Sequence, residues 1–210
     1  MVSSIGSLES LPPRSARIGL WVGLCVWIGV VTCGWSILTR YSYIAGPRTA
    51  PLASIAPAES SPETYRLRMF VHPRCPCSAA SVRELERLMS HCAGRIETTV
   101  HFYRPESASD DWVNGPLWEA VAAIPGVHAE IDPAGDESRQ FGSTTSGDVL
   151  LYDSAGRLQF HGGITAARGH EGDNVGKSAV MSIVRGETDH VGESPVFGCL
   201  LRIDGASSDE

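Results

Sequence analysis

Cys75 and Cys77 are separated only by Pro76, and His72 stands three residues before the first of them. Thiols this close either exchange with disulfides or ligate a soft metal. For exchange, Cys75 is the candidate nucleophile. A proline fits best at the first position of a helix and biases the residue before it towards extended backbone, which predicts Cys75 at or near the N-cap. There its sulfur would face unpaired N–H groups and the positive end of the helix dipole, both of which favour thiolate over thiol. Cys77 is then the resolving partner. A disulfide between residues i and i+2 is strained and readily reduced, which suits exchange better than stapling. His72 is the candidate to hold the thiolate by ion pairing, with Arg74 as a second positive charge.

The metal alternative uses the same residues. His72, Cys75 and Cys77, joined by Cys199 or His170 from far along the chain, offer thiolate and imidazole ligands suited to copper(I) or zinc. Exchange requires no cofactor. A third reading is a tethered interaction domain whose thiols are only structural.

The elements around these residues follow from periodicity. Residues 65–72 are rich in β-branched and aromatic side chains and stop at Pro73, as a strand does. Val82, Leu85, Leu88, Met89 and Cys92 then recur at helical spacing up to Gly94. The thiols therefore lie where a strand hands over to a helix. Further strands are expected at 96–102, 127–132, 149–152 and 157–161, and helices at 116–124 and 136–141. Asp173 is expected to cap a last helix that buries Val180, Ile183 and Val184. The order βαβαβαββα implies a mixed sheet covered by helices, with Cys75 at the carboxyl edge of its first strand.

Outside this domain, residues 18–38 form an uncharged run, IGLWVGLCVWIGVVTCGWSIL, of the length needed to cross a bilayer. It is expected to be a retained transmembrane anchor behind an N-terminal tail, residues 1–17, with the domain on the outer side. Residues 39–62 carry four prolines among Ala and Ser and read as a tether. The domain is expected over 63–187 and a C-terminal extension with Cys199 over 188–210. Cys75, Cys77, Cys92 and Cys199 then lie outside the membrane, which allows two bridges in three connectivities. Cys199 either returns to Cys75 as a second resolving thiol or ligand, or serves structurally, bridged to Cys92 or free and buried. The net charge of −7 without a basic cluster argues against nucleic acid as a partner. The glycine-rich loop 162–176 holds two further candidates, Arg168 and His170. Its Gly176-Lys177-Ser178 lacks the earlier glycine of a phosphate-binding loop.

The chain resembles the thioredoxin fold in the membrane-anchored form of TlpA- and ResA-like periplasmic thiol–disulfide proteins. The resemblance spans residues 63–199 and is carried by the thiols between first strand and helix, by PLWEAVAAIPGVHAEID and by the hairpin DVLLYDSAGRLQFHGGI. Within that group it is similar to the RedB proteins, which pair an HPxCPCS turn with such a hairpin and a late FGC. The resemblance implies an α/β thioredoxin-like fold, a mixed central sheet with helices on both faces, preceded by one transmembrane helix. It also implies a single-pass inner-membrane oxidoreductase facing the periplasm and acting on thiols or disulfides of exported proteins. Two features depart from the family: one residue rather than two separates the cysteines, and Gly147 stands where a cis-proline is expected. Gly147 would still let another backbone approach closely. Peroxiredoxins place a threonine three residues before the attacking cysteine; His72 and Arg74 stand there instead, which argues against peroxidase chemistry.

Overall fold

The computed structural model describes residues 14–47, 49 and 64–201. The chain divides into two units, residues 1–41 and 42–210. The first is built on α1, Arg14–Tyr43, of which residues 17–43 are long and apolar enough to cross a membrane, by length and composition. The helix runs past both ends of the 18–38 run because extending an existing helix fixes few dihedrals for each bond gained.

The second unit contains β1 (Tyr65–Val71), α2 (Ser78–His91), β2 (Ile96–Arg104), α3 (Pro116–Ala122), β3 (Val127–Pro133), α4 (Asp136–Gln140), β4 (Asp148–Tyr152), β5 (Leu158–Gly163) and α5 (Val175–Arg185). This is the expected order of elements. The five strands lie in the order β3-β2-β1-β4-β5. β1, β2 and β3 are parallel, and β4 runs antiparallel to both β1 and β5. β1 is thus central, and the turn after it, which carries the thiols, leaves from the middle of the carboxyl edge.

Alternation along the strands separates two cores. Leu67, Met69 and Val71 of β1, with Val100, Phe102, Val149 and Leu151, pack under α2, α3 and α5. Phe70, Leu150 and Tyr152 face the other side, where Phe141, just after α4, and Leu201 of the tail cover them. Both faces are closed, so β4 is buried along its whole length.

Three expectations are corrected. Asn174, not Asp173, caps α5: its side-chain oxygen accepts from the Lys177 N–H at 2.7 Å, since it is the residue directly before the first helical turn. Part of the predicted tether is held on the domain. Gly46 N–H donates to Val196 O at 2.8 Å, Thr49 N–H to Gly142 O at 3.1 Å, and Pro47 O accepts from Thr145 Oγ1 at 2.7 Å. Residues 50–63 lie outside the described residues. Nor is the C-terminal extension an appendage, because Val196 and Leu201 are buried in the domain. Residues 202–210 also lie outside the described residues.

Candidate functional site

The helix after the thiols starts later than Pro76 leads one to expect. α2 begins at Ser78 with Cys77 as its N-cap, and Cys75 and Pro76 precede it in a turn closed by Ser78 N–H to Cys75 O at 3.1 Å. A second turn, Cys75 N–H to His72 O at 3.0 Å, folds the chain straight after β1. These two turns use the backbone of residues 72–78 locally and bring the Cys75 side chain inward, where it is buried.

Three thiols meet there. The Cys75 and Cys199 sulfurs are 2.7 Å apart, although 124 residues separate them in sequence. Their spacing is longer than the ~2.05 Å of a disulfide, and both cysteines are free. Cys77 completes the group, with all three sulfurs within 4.8 Å of one another. Cys92 lies in the core under α2, which leaves Cys199 to Cys75.

The electrostatics of the three thiols diverge. Burial pushes the Cys75 thiol up, but hydrogen bonds from the Cys199 side chain and backbone, the Ser78 side chain and the Cys77 backbone outweigh it, and the net shift is downward. Burial, the Cys75 charge and the hydrogen bond to Cys75 push Cys77 up, partly offset by the Arg168 guanidinium. Cys199 is pushed up to about 12 by burial, by its hydrogen bond to Cys75 and by the charges on Cys75 and Cys77, again opposed by Arg168. Of the three thiols, Cys75 is the one whose surroundings favour the thiolate. Once Cys75 is capped by another sulfur, the charge that suppresses ionisation of its neighbours is gone.

Arg168 is the cation of this site. Its guanidinium donates to Gly198 O and its backbone N–H to Ser42 O at 3.0 Å. The glycine-rich loop that carries it is anchored from α2: buried Glu84 accepts from Gly172 N–H at 2.7 Å and from Lys177 Nζ at 2.6 Å.

His72 does not play the expected part. Its Nδ1 accepts from Arg74 N–H at 3.1 Å, and its ring packs on Tyr103 and against the edge of Trp112. Burial, with the Arg74 charge, lowers its pKa, so the ring is neutral at neutral pH and no imidazolium faces Cys75. Arg74 itself lies over the Trp112 ring, 4.4 Å from its centroid. His170 is exposed, with Nδ1 2.8 Å from Arg168 O. Among the described residues, neither histidine joins the thiols in a ligand group.

Gly147, with φ +92, leads into β4, and its N–H donates to Phe70 O at 2.8 Å. No cis peptide bond occurs among the described residues. Beside it, two hydroxyls that no sequence pattern singles out bind the thiol turn to the β4 approach. Ser146 Oγ accepts from His72 N–H at 2.8 Å and lies 2.7 Å from Ser78 Oγ. Both serines are buried, and a lone serine carries no periodic signal that would predict this. On its α2–α3 side Cys75 lines a groove of about 500 Å³ with Pro73, Pro76, Val82, Pro116 and Leu117.

No known family's model matches the chain, and no curated protein matches it by sequence. Solved structures do match. A hypothetical protein from Sinorhizobium meliloti is 20% identical, with a TM-score of 0.54 over 75% of this chain and 95% of that one. An uncharacterised conserved protein from Geobacillus kaustophilus is 14% identical, with a TM-score of 0.56 over 79% of this chain and 95% of that one. An exposed lipoprotein thioredoxin from Streptococcus pneumoniae is 12% identical, with a TM-score of 0.44 over 64% of this chain and 98% of that one. With β1 central, β4 antiparallel to both β1 and β5, and helices on both faces, the domain has the thioredoxin-like fold, preceded by one helix apolar enough to span a membrane.

Proposed function

We propose that this chain is a membrane-tethered thiol–disulfide oxidoreductase whose domain works in an extracytoplasmic, periplasmic space on thiols or disulfides of exported proteins. The observation that carries this reading is a buried Cys75 ringed by hydrogen-bond donors, with a second sulfur 2.7 Å away. The Cys75 thiolate attacks one sulfur of a partner disulfide, a new S–S bond forms, and the partner's other sulfur leaves as thiolate. A neighbouring thiol of the domain then attacks the Cys75 sulfur and frees the partner's second thiolate. The partner disulfide is reduced, two domain thiols are oxidised to a disulfide, and an external dithiol returns them. Thiols carry the electrons throughout, so no cofactor is needed. The groove beside Cys75, apolar except for Arg74, Arg83 and Glu86, offers an approach for the partner's chain, and α1 is the tether.

The test is disulfide exchange by the full chain in detergent, measured as insulin reduction with a thiol donor. Cys75→Ser is expected to abolish turnover; unchanged turnover ends this reading. A second reading, a copper(I) or zinc binding protein, is favoured by one observation, the three sulfurs within 4.8 Å. Its ligands are Cys75, Cys77 and Cys199, without the histidines. Stoichiometric copper or zinc in the purified chain, lost in Cys75→Ser, selects it.

A further inference from the structure

Residues 194–201 approach the thiols as an extended segment outside the sheet. Ser146 N–H donates to Cys199 O at 2.8 Å, Leu201 N–H donates to Thr144 O at 2.9 Å, and Thr145 and Leu200 form an antiparallel bridge. The pairing is possible because residue 198 is a glycine: a Cβ there would lie 1.8 Å from Ser146 O, which no side chain allows. Val196 and Leu201 are 1% exposed and fasten the segment on either side, while Arg168 donates to Gly198 O between them. The segment is also clamped from outside by Gly46, whose N–H donates to Val196 O at 2.8 Å. All of this holds the sulfur of Cys199 at 2.7 Å from that of Cys75. Cys77 has no such delivery. To bridge Cys75 it must close a ring across Pro76, in a turn whose backbone is already committed to the Cys75 N–H to His72 O and Ser78 N–H to Cys75 O bonds.

We infer that Cys199, delivered by the segment 194–201, is the resolving thiol for Cys75, and that the oxidised domain carries a Cys75–Cys199 disulfide which latches this segment over the site. The inference rests on the exchange reading and names its second thiol. In the resolving step Cys199 gives up its proton to the departing thiolates or to water, its sulfur bonds to that of Cys75, and the Cys75–partner bond breaks with the partner leaving as thiolate. Two domain thiols have lost two electrons, and the partner disulfide has gained them. Gly198 and Arg168 are positioning residues, since they hold the segment and touch no partner.

The full chain in detergent micelles, oxidised by glutathione disulfide and then thiol-blocked, reports the bridge by peptide mass spectrometry. No Lys or Arg lies between Cys75 and Cys77, so trypsin leaves both on one peptide and Cys199 on another. A Cys75–Cys199 bridge gives a linked pair, and a Cys75–Cys77 bridge gives one internally closed peptide. The linked pair is expected, and it is expected to persist in Cys77→Ser, where Cys75 is the only thiol left on its peptide. Cys199→Ser should accumulate the mixed disulfide of Cys75 with glutathione and lose turnover by about a hundredfold. Gly198→Ala keeps every thiol and should form the bridge at least about tenfold more slowly, because it displaces the segment. An internally closed peptide in the wild-type chain, or mixed disulfide trapped in Cys77→Ser and not in Cys199→Ser, overturns the inference and leaves exchange through Cys75 standing. Exchange that survives Cys75→Ser removes the parent reading itself.

Discussion

At one end of α2, Cys75 is buried among donors from the Cys77 backbone, the Ser78 side chain and both the sulfur and the backbone of Cys199. At the other end, Cys92 is just as buried, and its neighbours are Leu88, Met89, Ile96 and the rest of the apolar core. Burial pushes both thiols up. Around Cys92 only the charges of Arg185 and Arg95 oppose it, and its thiol stays raised. Around Cys75 the donors prevail. Both are cysteines at a helix terminus, yet most of what activates Cys75 comes from a segment over a hundred residues away. The helix start supplies the Cys77 backbone and the Ser78 side chain here; tertiary structure supplies both groups of Cys199.

Four measurements test this contrast. Exchange turnover should fall by about a thousandfold or more in Cys75→Ser, because the attacking sulfur is gone. Alkylation by iodoacetamide separates the two ends next. Cys75, its pKa lowered, holds its thiolate at a pH where an ordinary thiol is protonated, whereas Cys92, raised and buried, needs a higher pH. At neutral pH Cys75 should react about a hundredfold faster, and the gap should narrow as pH rises and Cys92 ionises as well. Equal rates, read by mass spectrometry of the labelled peptides, would remove the contrast.

Arg168→Gln acts on one end only. Arg168 lowers the pKa of Cys77 and Cys199, so its removal should raise both further. The pH profile of exchange should move to higher pH, with turnover near neutrality reduced by roughly tenfold. A profile that does not move shows that the arginine only shapes its loop. The smallest effect belongs to the other end: Cys92→Ala should cost about 1 kcal/mol of stability in urea unfolding, through lost packing, and change turnover by less than about twofold.

The middle of α2 explains how the loop that carries Arg168 keeps its place. Glu84 is 0% exposed and ionised, its pKa lowered because, against burial, it accepts from Lys177 and Gly172 and faces the charges of Lys177 and Arg87. That one carboxylate joins α2 to α5 and to the glycine-rich loop. In the sequence Glu84 looks like an exposed charge between apolar positions of an amphipathic helix, and nothing near it marks it as buried.

The same limit recurs at the site. The alternation of Ile96, Thr98, Val100 and Phe102 and the helical spacing of Val82, Leu85, Leu88 and Met89 were enough to place β2 and α2, because a strand or helix writes its own period into the chain. The proline-bearing turn that sets Cys75 at the end of β1 was legible for the same reason. Pro76 proved a weaker guide, since its turn closes before the helix begins and leaves Cys77 as the cap. For His72, proximity in sequence says nothing about side-chain direction, and its ring packs on Tyr103 and against Trp112.

The run of elements, the apolar N-terminal helix and the position of two thiols at a strand-to-helix junction are all legible in the order of residues. Each of these is set by residues close together in the chain. It takes the folded chain to bring Cys199 rather than Cys92 or a histidine to Cys75, to place the Arg168 charge beside the thiols, and to bind part of the expected tether to the domain. Those outcomes depend on pairings such as Ser146 with Cys199 and Gly46 with Val196. Backbone hydrogen bonds between distant segments need only an N–H, a carbonyl and room to approach, and those leave no local pattern in the order of side chains.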